Sequence, residues 1–268
     1  MTALATTDRL ADLALIAGAA RRAGEVALTY FGQSPDVWFK NEGRSPVSAA
    51  DLAANEILEK MLREARPGYG WLSEETDDDP ARLSRDTVFV VDPIDGTRAF
   101  IAGEKTWCVS VAVVENGRPV AGVLYAPALA EEYLASADGP VMKNGQPISV
   151  AGREMGQIRV ATPQDLLNAV PSAFRAGIQR VGHVPSLAYR IAMVADGRID
   201  ATFVKQNSHD WDLAAADLIL ERAGGRLADT AGATLRYNRA EVRHGVLCAA
   251  SEPLLPVLLE QLGPARRS

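Results

Sequence analysis

Two aspartates stand out in the segment of residues 87–103, which reads TVFVVDPIDGTRAFIAG. An apolar, β-branched run typical of a buried strand leads into Asp92, and Asp95 follows after a proline and an isoleucine. A rigid turn of this kind would hold two carboxylates and the carbonyl oxygens between them close together. Such oxygen atoms are the ligands that hard cations such as Mg²⁺ prefer. The spacing therefore favours a cation site at the end of this strand.

The residues that follow Asp95 could bind an anion. Gly96 would let a ligand approach the backbone closely. The amides of Gly96 and Thr97 would direct partial positive charge towards a phosphate if they open a helical turn. The alternative is that D-P-x-D-G is an ordinary acidic turn at a strand end. This segment alone leaves both interpretations open.

Further acids occupy the ends of other predicted elements. Glu74 ends a short apolar strand, and Asp212 opens the helical pattern DLAAADLILERAGG, where the helix dipole alone would also explain a carboxylate. Asp51 follows Ser48 by three residues, which is the spacing of a capping box, and on sequence alone the capping role is favoured. An all-oxygen set of carboxylates and a carbonyl suits Mg²⁺ or Mn²⁺.

The sequence lacks the patterns of several other chemistries. His183, His209 and His244 form no HExxH motif and no CxxC pair occurs, so a zinc site is disfavoured. Walker-A, GxGxxG and GxSxG patterns are absent as well. Cys108 and Cys248 each lie in an apolar run, where a small buried thiol is the usual explanation, and neither a disulfide nor a catalytic role is expected of them.

The composition is that of a globular protein without a polyanionic partner. The 268 residues include 28 Lys plus Arg and 34 Asp plus Glu, a net charge of −6. This charge disfavours a nucleic-acid polymer or an acidic membrane as a partner. No run approaches the roughly 18 apolar residues of a membrane span, and the first residues lack the basic and apolar regions of a secretory signal. A reducing cytoplasm is therefore the expected compartment.

Apolar spacing predicts the elements that must position these residues. Helices are expected over residues 7–31, 50–65, 166–174, 186–195, 213–223 and 252–262. Strands are expected over residues 37–40, 70–73, 87–91, 107–114, 119–125, 132–136, 158–161, 201–204, 225–229 and 245–250. Asn-Gly turns at residues 116–117 and 144–145 favour an antiparallel meander. Alternating strands and helices then favour an α/β second half, with a boundary between residues 145 and 155.

Three segments resemble the signatures of a known family. WLSEET, DPIDGTRAF and HDWDLAAADLILERAGG have the order and spacing seen in the inositol monophosphatase superfamily of lithium-sensitive, magnesium-dependent phosphatases, and the resemblance covers nearly the entire chain. It implies an α+β or α/β fold, a layered α-β-α-β-α sandwich of the sugar-phosphatase type, with an antiparallel sheet in the first half and a mixed sheet in the second. It also implies a metal-binding domain over residues 1–148, an α/β domain over residues 149–268 that supplies Asp212 and substrate contacts, and a homodimer.

The resemblance further implies a set of metal ligands. Glu74, Asp92 and the carbonyl of Ile94 would hold a first Mg²⁺. Asp92, Asp95 and Asp212 would hold a second, so that Asp92 bridges the two ions. Two or three Mg²⁺ per site are expected on this basis, with Mn²⁺ as an alternative ion and Li⁺ as an inhibitor.

Catalytic and phosphate-binding roles also follow from the resemblance. Thr97, assisted by Asp51, would orient and deprotonate the attacking water together with Glu74. The amides of Gly96 and Thr97 would receive the phosphate. The family resemblance therefore replaces the capping role of Asp51 as the preferred interpretation.

Residues 40–51, KNEGRSPVSAAD, and the segment LSEE are more similar to the 3′(2′),5′-bisphosphate nucleotidases of this superfamily than to its inositol phosphatases. Lys205 lies seven residues before Asp212, where the inositol branch tends to place an acid that contacts sugar hydroxyls. A cation there suits a second phosphate better than a pair of hydroxyls. The alternative is an exposed lysine at a strand end.

The leading hypothesis is a phosphomonoesterase that removes the 3′-phosphate of 3′-phosphoadenosine 5′-phosphate, a small phosphorylated substrate. Inositol 1-phosphate or another sugar or polyol phosphate, including histidinol phosphate, is the alternative substrate. A metal-dependent regulatory binding protein is the alternative from a different class.

Overall fold

The computed structural model describes residues 3–33, 37–40, 45–151 and 157–262 of the chain. Within them the α-helices are α1 (Ala3–Tyr30), α2 (Ala49–Ala65), α3 (Thr97–Ile101), α4 (Gln164–Ala169), α5 (Ser172–Arg175), α6 (Leu187–Ala195), α7 (Asp210–Arg222) and α8 (Leu255–Leu262). The strands are β1 (Val37–Lys40), β2 (Ser45–Ser48), β3 (Gly70–Ser73), β4 (Thr87–Asp95), β5 (Cys108–Glu115), β6 (Arg118–Ala126), β7 (Glu131–Ser136), β8 (Met142–Lys143), β9 (Gln146–Pro147), β10 (Ile158–Val160), β11 (Ile178–Arg180), β12 (Ala201–Val204), β13 (Ser208–His209), β14 (Gly225–Asp229), β15 (Arg243–His244) and β16 (Leu247–Ser251).

A seven-stranded sheet of order β3-β4-β5-β6-β7-β8-β9 carries the DPID segment. The neighbouring pairs from β4 to β9 are antiparallel, as the predicted meander requires, whereas β3 and β4 are parallel. Residues 74–86 connect these two strands through a 3₁₀ segment, Pro80–Ser84. Because parallel strands end at the same edge of a sheet, the chain leaves β3 beside Asp92.

A bulge in β4 turns both of its aspartates to one side. Asp92 pairs with Ser110 of β5 and Asp95 pairs with Cys108, with a register shift between the two pairs. Residues three apart in a regular strand point to opposite faces, and the extra residue of a bulge restores the same face. The sequence predicts a turn after Asp92, but β4 continues to Asp95, because the missing amide of Pro93 is tolerated at a bulge.

Helices and sheets alternate in layers. α1 and α2 pack on one face of the seven-stranded sheet, and α6 and α7 pack on the other. A second sheet of order β11-β10-β12-β16-β14 lies beyond α6 and α7, and it contains both parallel and antiparallel pairs. α8 covers the outer face of this second sheet. These layers confirm the predicted α-β-α-β-α sandwich and the mixed second sheet.

α7 is the helix that brings the second half of the chain to the first sheet. Its apolar residues, such as Leu213 and Leu220, are buried in the core that the two sheets share. Close packing of α7 on β6 requires Gly122, where a Cβ would lie only 3.1 Å from the carbonyl oxygen of Ala215. The predicted domain boundary at residues 148/149 falls between β9 and β10, while α6 and α7 contact both sheets.

The second half differs from the sequence prediction at its helix ends. The helix predicted over residues 166–174 is divided into α4 and α5, because Pro171 cannot donate the backbone hydrogen bond of a continuous helix. α7 begins at Asp210, so Asp212 is its third residue, and α8 begins at Leu255 rather than at residue 252. Residues 41–44 of the nucleotidase-like segment lie outside the described residues.

Candidate metal centre

Three aspartates from distant parts of the sequence converge at the edge of the first sheet. Asp92 and Asp95 come from β4, and Asp212 comes from the first turn of α7. One carboxylate oxygen of each lies within 4.8 Å of the others. Asp92 and Asp95 are buried, and Asp212 is partly exposed. The structure thus brings together the three side chains predicted to hold the second Mg²⁺.

Burial and neighbouring charges disfavour the ionised form of Asp92. Its Oδ1 accepts a hydrogen bond from the amide of Ile94 at 3.0 Å, which fixes the orientation of the carboxylate. Desolvation, followed by the charges of Glu74, Asp95 and Asp212, raises the pKa of Asp92 well above its ordinary value. A cation in contact with these groups would favour the ionised form instead.

Asp95 is held by the first turn of α6. Its Oδ2 accepts hydrogen bonds from the Ser186 hydroxyl and from the Ala188 amide, the latter at 2.7 Å. Its Oδ1 accepts a hydrogen bond from the Leu187 amide at 3.3 Å. These donors favour the carboxylate, but burial and the charge of Asp212 outweigh them and raise the pKa of Asp95 to about 7.

The raised pKa of Asp95 predicts how the stability of the protein in EDTA depends on pH. The unfolded chain ionises Asp95 near 3.8 and the folded chain near 7, so the folded state binds the extra proton between these values. The free energy of unfolding therefore falls as the pH rises from about 4 to about 7, by at most about 1.4 kcal/mol per pH unit. Urea unfolding of the parent protein and of Asp95→Asn from pH 5 to pH 8 measures this. The variant should gain stability relative to the parent as the pH rises, and a difference independent of pH would contradict the prediction.

Asp212 is oriented by the residue that precedes α7. The His209 amide donates to Asp212 Oδ2 at 2.6 Å, and the His209 ring Nδ1 lies 3.7 Å from the same oxygen. The His209 ring stacks on Trp211, with centroids 4.5 Å apart, and Arg243 Nε donates to His209 Nε2 at 3.4 Å. No role was predicted for these neighbours, although the HDWD segment contains His209 and Trp211.

Asp51 contacts both Ser48 and Thr97. Its Oδ2 accepts hydrogen bonds from the Ser48 amide at 2.7 Å and the Ser48 hydroxyl at 2.6 Å, at the start of α2. Its Oδ1 lies 3.1 Å from Thr97 Oγ1, which is equally close to the carbonyl oxygen of Ile94. Burial raises the pKa of Asp51. One carboxylate thus makes the capping contact that the sequence favoured and the Thr97 contact that the resemblance implied.

Gly96 joins the bulged strand to α3 in a conformation that suits only glycine. Its φ is +94°. A Cβ at this position would lie 3.0 Å from Ser186 Cβ and 3.2 Å from Ser186 Cα. Gly96 therefore lets β4 approach the start of α6 closely enough for Asp95 to receive its hydrogen bonds.

Glu74 directly follows β3 and is partly buried. Its amide donates to the carbonyl oxygen of Val91 at 3.2 Å, which sets it beside Asp92. Its charge is the largest contribution after burial to the raised pKa of Asp92. The parallel pairing of β3 with β4 therefore places Glu74 next to Asp92, as the predicted first ligand set requires.

Lys205 follows β12 and forms an ion pair with Asp165 at 2.8 Å. Both side chains are more than half exposed, at 54% and 65%. Exposed ion pairs contribute little to stability because water and salt screen them. The pairing leaves Lys205 available to exchange Asp165 for another anion.

Arg190 is a buried cation for which no role was predicted from its position in the sequence. It lies in α6, where its Nε donates to the Thr202 hydroxyl at 2.8 Å and its Nη1 donates to the carbonyl oxygen of Val184 at 3.0 Å. Among the described residues no carboxylate lies within ion-pair distance of it. Burial lowers the pKa of Arg190 to about 10, so it remains charged at neutral pH.

The residues at this edge of the sheet fit a hard divalent cation. The converging atoms are carboxylate oxygens, without sulfur or imidazole ligands among them, and this donor set suits Mg²⁺ or Mn²⁺. Burial, followed by the repulsion between neighbouring acids, raises the pKa values of Asp92 and Asp95, and a bound cation would offset that repulsion.

Comparison with known proteins assigns this arrangement to a family. The sequence model of the inositol monophosphatase family matches residues 10–266. The chain belongs to the inositol monophosphatase family. It is therefore a phosphatase, a hydrolase of phosphoric monoesters, and the acidic cluster agrees with the metal dependence of that family. Within the described residues, no helix is long and apolar enough to cross a membrane.

Relatives with different activities resemble the chain about equally. An inositol-1-monophosphatase of Mesorhizobium japonicum is 34% identical and covers 84% of this chain and 87% of its own length. A 3′(2′),5′-bisphosphate nucleotidase, CysQ, of Salmonella typhimurium is 32% identical and covers 83% of this chain and 92% of its own length. The structure of the extragenic suppressor protein suhB of Bartonella henselae matches with a TM-score of 0.82 and 27% identity, over 95% of this chain and 99% of that one.

Proposed function

We propose that this phosphatase is Mg²⁺-dependent and removes the 3′-phosphate of 3′-phosphoadenosine 5′-phosphate. The observation that carries the reaction is the convergence of Asp92, Asp95 and Asp212 within 4.8 Å in a chain of this family. Phosphoryl transfer needs positioned charge rather than a covalent protein nucleophile. The buried Cys108 is not needed as a nucleophile, and burial raises the pKa of its thiol well above the ordinary value.

The proposed ligand sets share Asp92. Glu74, Asp92 and the carbonyl of Ile94 would hold one Mg²⁺, and Asp92, Asp95 and Asp212 would hold another. Bound Mg²⁺ would lower the pKa of the attacking water and stabilise the leaving oxygen of an in-line displacement. A third ion and replacement by Mn²⁺ belong to the same proposal.

The remaining roles fall to side chains and amides beside these ligands. Thr97, whose hydroxyl lies 3.1 Å from Asp51 Oδ1, would orient the attacking water. Glu74 would accept the proton of that water together with the pair of Thr97 and Asp51. The amides of Gly96 and Thr97 would bind the phosphate, which could approach the backbone closely because Gly96 has no Cβ.

Lys205 supports a substrate with a second anionic group. Its partner Asp165 is exposed, so another anion could replace it. The similarity to the CysQ nucleotidase agrees with such a substrate. The similarity to the inositol-1-monophosphatase favours the alternative of a sugar or polyol phosphate. The sequence identities to these two relatives, 34% and 32%, differ too little to decide between the substrates.

A matched pair of substrates tests the assignment of Lys205. Release of phosphate from 3′-phosphoadenosine 5′-phosphate should exceed release from adenosine 3′-phosphate by about 10-fold or more in kcat/KM, since a hydrogen bond to a charged group contributes about 1.5–3 kcal/mol. Lys205→Ala should reduce this ratio, whereas Lys60→Ala, which removes another exposed lysine, should not. Equal ratios in both variants would remove Lys205 from the proposal.

A wider panel separates the substrate from the reaction class. Inositol 1-phosphate, histidinol phosphate and fructose 1,6-bisphosphate should be poorer substrates, and Li⁺ should inhibit every reaction that Mg²⁺ supports. Rapid turnover of inositol 1-phosphate without turnover of nucleotides would replace the substrate and keep the phosphatase. A regulatory binding protein would instead bind phosphorylated ligands without releasing phosphate.

The proposal also includes a cytoplasmic homodimer acting without a nucleic-acid or membrane partner. Sedimentation of the purified chain, whose mass is 28.6 kDa, should give the mass of two copies. A monomer would leave the phosphatase proposal intact, since the described residues of the cluster come from one chain.

A further inference from the structure

A buried arginine, Arg82, connects the segment that follows Glu74 with a segment of the second half of the chain. Arg82, in the 3₁₀ segment Pro80–Ser84, has a side chain only 1% exposed. Its guanidinium donates two hydrogen bonds to Asp78, from Nε to Oδ1 at 2.6 Å and from Nη2 to Oδ2 at 2.8 Å. Asp78 belongs to the loop that follows Glu74, and Arg82 also packs against Gly70 of β3, where a Cβ would lie 3.2 Å from Arg82 Cβ. Arg82 is thus anchored to the segment that carries Glu74.

The same guanidinium reaches across to the second half of the chain. Its Nη1 donates to Asn238 Oδ1 at 2.7 Å, and both Nη1 and Nη2 donate to the carbonyl oxygen of Arg239 at 3.1 Å. The five N–H groups of an arginine thus match the five contacts that Arg82 makes with Asp78, Asn238 and Arg239. Because every N–H group of the guanidinium makes a hydrogen bond, Arg82 fixes the segment of Asp78 and the segment of Asn238 and Arg239 in one relative position.

From Asn238 the contacts continue to the start of α7. The backbone amide of Asn238 donates to Asp210 Oδ2 at 2.7 Å, and Asp210 Oδ1 lies 2.7 Å from Nε2 of the buried His244. Asp210 is fully buried and is the first residue of α7, two residues before Asp212. Its own amide donates to the carbonyl oxygen of Val242 at 3.0 Å. Hydrogen bonds with residues 238–244, the segment to which Arg82 also donates, therefore hold the first turn of α7 in place.

We propose that Arg82 and Asn238 are positioning residues that set the first turn of α7, and with it Asp212, against the segment that bears Glu74. Glu74 and Asp212 lie in different halves of the chain. The relay of Asp78, Arg82, Asn238 and Asp210 links the segments that carry them without including the proposed metal ligands themselves. The ion pair of Arg82 with Asp78 contributes little net stability on its own, because the Asp78 side chain is 45% exposed. Holding two segments in one relative position is a role that the hydrogen bonds of the buried Arg82 can perform. This inference rests on the proposed function, because it concerns the assembly of its metal ligands.

Asn238 gives a sharper test than Arg82. Arg82→Gln would leave several buried acceptors without a donor, so its folding is at risk. Asn238 has a φ of +55°, which glycine adopts without strain, so Asn238→Gly keeps the backbone amide that binds Asp210. It removes the side chain, whose Oδ1 accepts from Arg82 Nη1 at 2.7 Å and whose Nδ2 donates to the Arg82 carbonyl oxygen at 3.4 Å. Asn238→Asp restores the shorter of these two hydrogen bonds, in which the side chain accepts from Arg82. Tyr237→Phe is the matched control, because it removes a neighbouring buried hydrogen bond, from Tyr237 to Asp217 at 2.8 Å, outside the relay.

Binding of Mn²⁺ to the full chain, measured by calorimetry well below the unfolding temperature of each variant, tests the relay. Asn238→Gly should weaken Mn²⁺ binding by about 10-fold, the effect of losing a group that orients a ligand, and should raise the Mg²⁺ concentration needed for half-maximal phosphate release. Asn238→Asp should stay close to the parent, and Tyr237→Phe should lose thermal stability without losing Mn²⁺ affinity. Suppose that the parent binds Mn²⁺ and releases phosphate, and that Asn238→Gly loses thermal stability but keeps its Mn²⁺ affinity, as Tyr237→Phe should. The relay is then only structural, and this inference fails while the proposed function stands. If the parent binds no Mn²⁺ and releases no phosphate, the proposed function fails and the relay with it.

Discussion

Asp92→Asn is expected to lower kcat/KM for phosphate release by about 10³-fold or more while making the protein in EDTA more stable. Asp92 is the carboxylate that the two proposed ligand sets share, so its neutralisation weakens the charge stabilisation of both. Loss of several kcal/mol of transition-state stabilisation corresponds to this decrease in rate. Asparagine has nearly the same shape, and its Oδ1 can still accept the hydrogen bond from the Ile94 amide.

The gain in stability follows from the electrostatics of the cluster. Burial, followed by the charges of the neighbouring acids, raises the pKa of Asp92, which means that the folded protein disfavours the ionised form of this carboxyl. Each unit by which the pKa is raised is worth about 1.4 kcal/mol, so Asp92→Asn should raise the free energy of unfolding at pH 8 in EDTA. Mg²⁺ should stabilise the parent protein strongly and the variant weakly.

Asp217→Asn is the control for removal of a buried acid. Burial raises the pKa of Asp217 to about 6, and the Tyr237 hydroxyl donates to it at 2.8 Å. Asp217 lies in the core away from the cluster, so Asp217→Asn should retain full activity and the full response to Mg²⁺. An Asp92→Asn protein that keeps more than about a tenth of the parental kcat/KM would remove Asp92 from the centre of the site.

Gly96→Ala is expected to abolish most of the activity and to cost about 2–5 kcal/mol of stability. A positive φ costs a residue with a Cβ about 1–2 kcal/mol, and the overlap with Ser186 adds the cost of overpacking, about 1–3 kcal/mol. To relieve the overlap between the new Cβ and Ser186, the backbone must shift at residue 96 or at residue 186. Either shift moves the start of α6 away from Asp95. Circular dichroism melts together with kcat/KM measure both effects.

Gly145→Ala separates strain from overlap. Gly145 has a φ of +75°, and a Cβ there would meet nothing within 4 Å. This variant should lose about 1–2 kcal/mol from strain alone and keep its activity. Equal effects of the two substitutions on activity would mean that the approach of Gly96 to Ser186 does not matter for the site.

Most helices and strands of this fold were predictable because their signals are local, whereas the order of the layers was implied only by the family resemblance. Apolar periodicity in residues 50–65 and 87–91 and the Asn-Gly turns depend on neighbours in the chain, and the structure contains the corresponding elements at nearly the predicted positions. The acids at element ends were found for the same reason, since Asp92, Glu74 and Asp212 each follow or begin a recognisable pattern. The predicted helix ends were less accurate, because a proline or a capping residue determines where a helix begins or ends.

Long-range contacts could not be predicted from local patterns. The bulge that turns Asp92 and Asp95 to one side is visible only when β4 is paired with β5. Ser186 marked a helix start in the sequence, yet its contact with Asp95 joins residues 91 positions apart. Nothing in the acidic run before Pro80 indicated that Asp78 and Arg82 connect to Asn238. Periodicity carries no information about which distant elements meet.

The central claim is that phosphate release depends on cations held by the acids at the edge of the first sheet. The most direct test is phosphate release from 3′-phosphoadenosine 5′-phosphate and inositol 1-phosphate after dialysis against EDTA, before and after addition of Mg²⁺. We expect no release before addition of Mg²⁺, restored release afterwards and inhibition by Li⁺. Release at the full rate in EDTA, or none with Mg²⁺ from a folded protein, would contradict it.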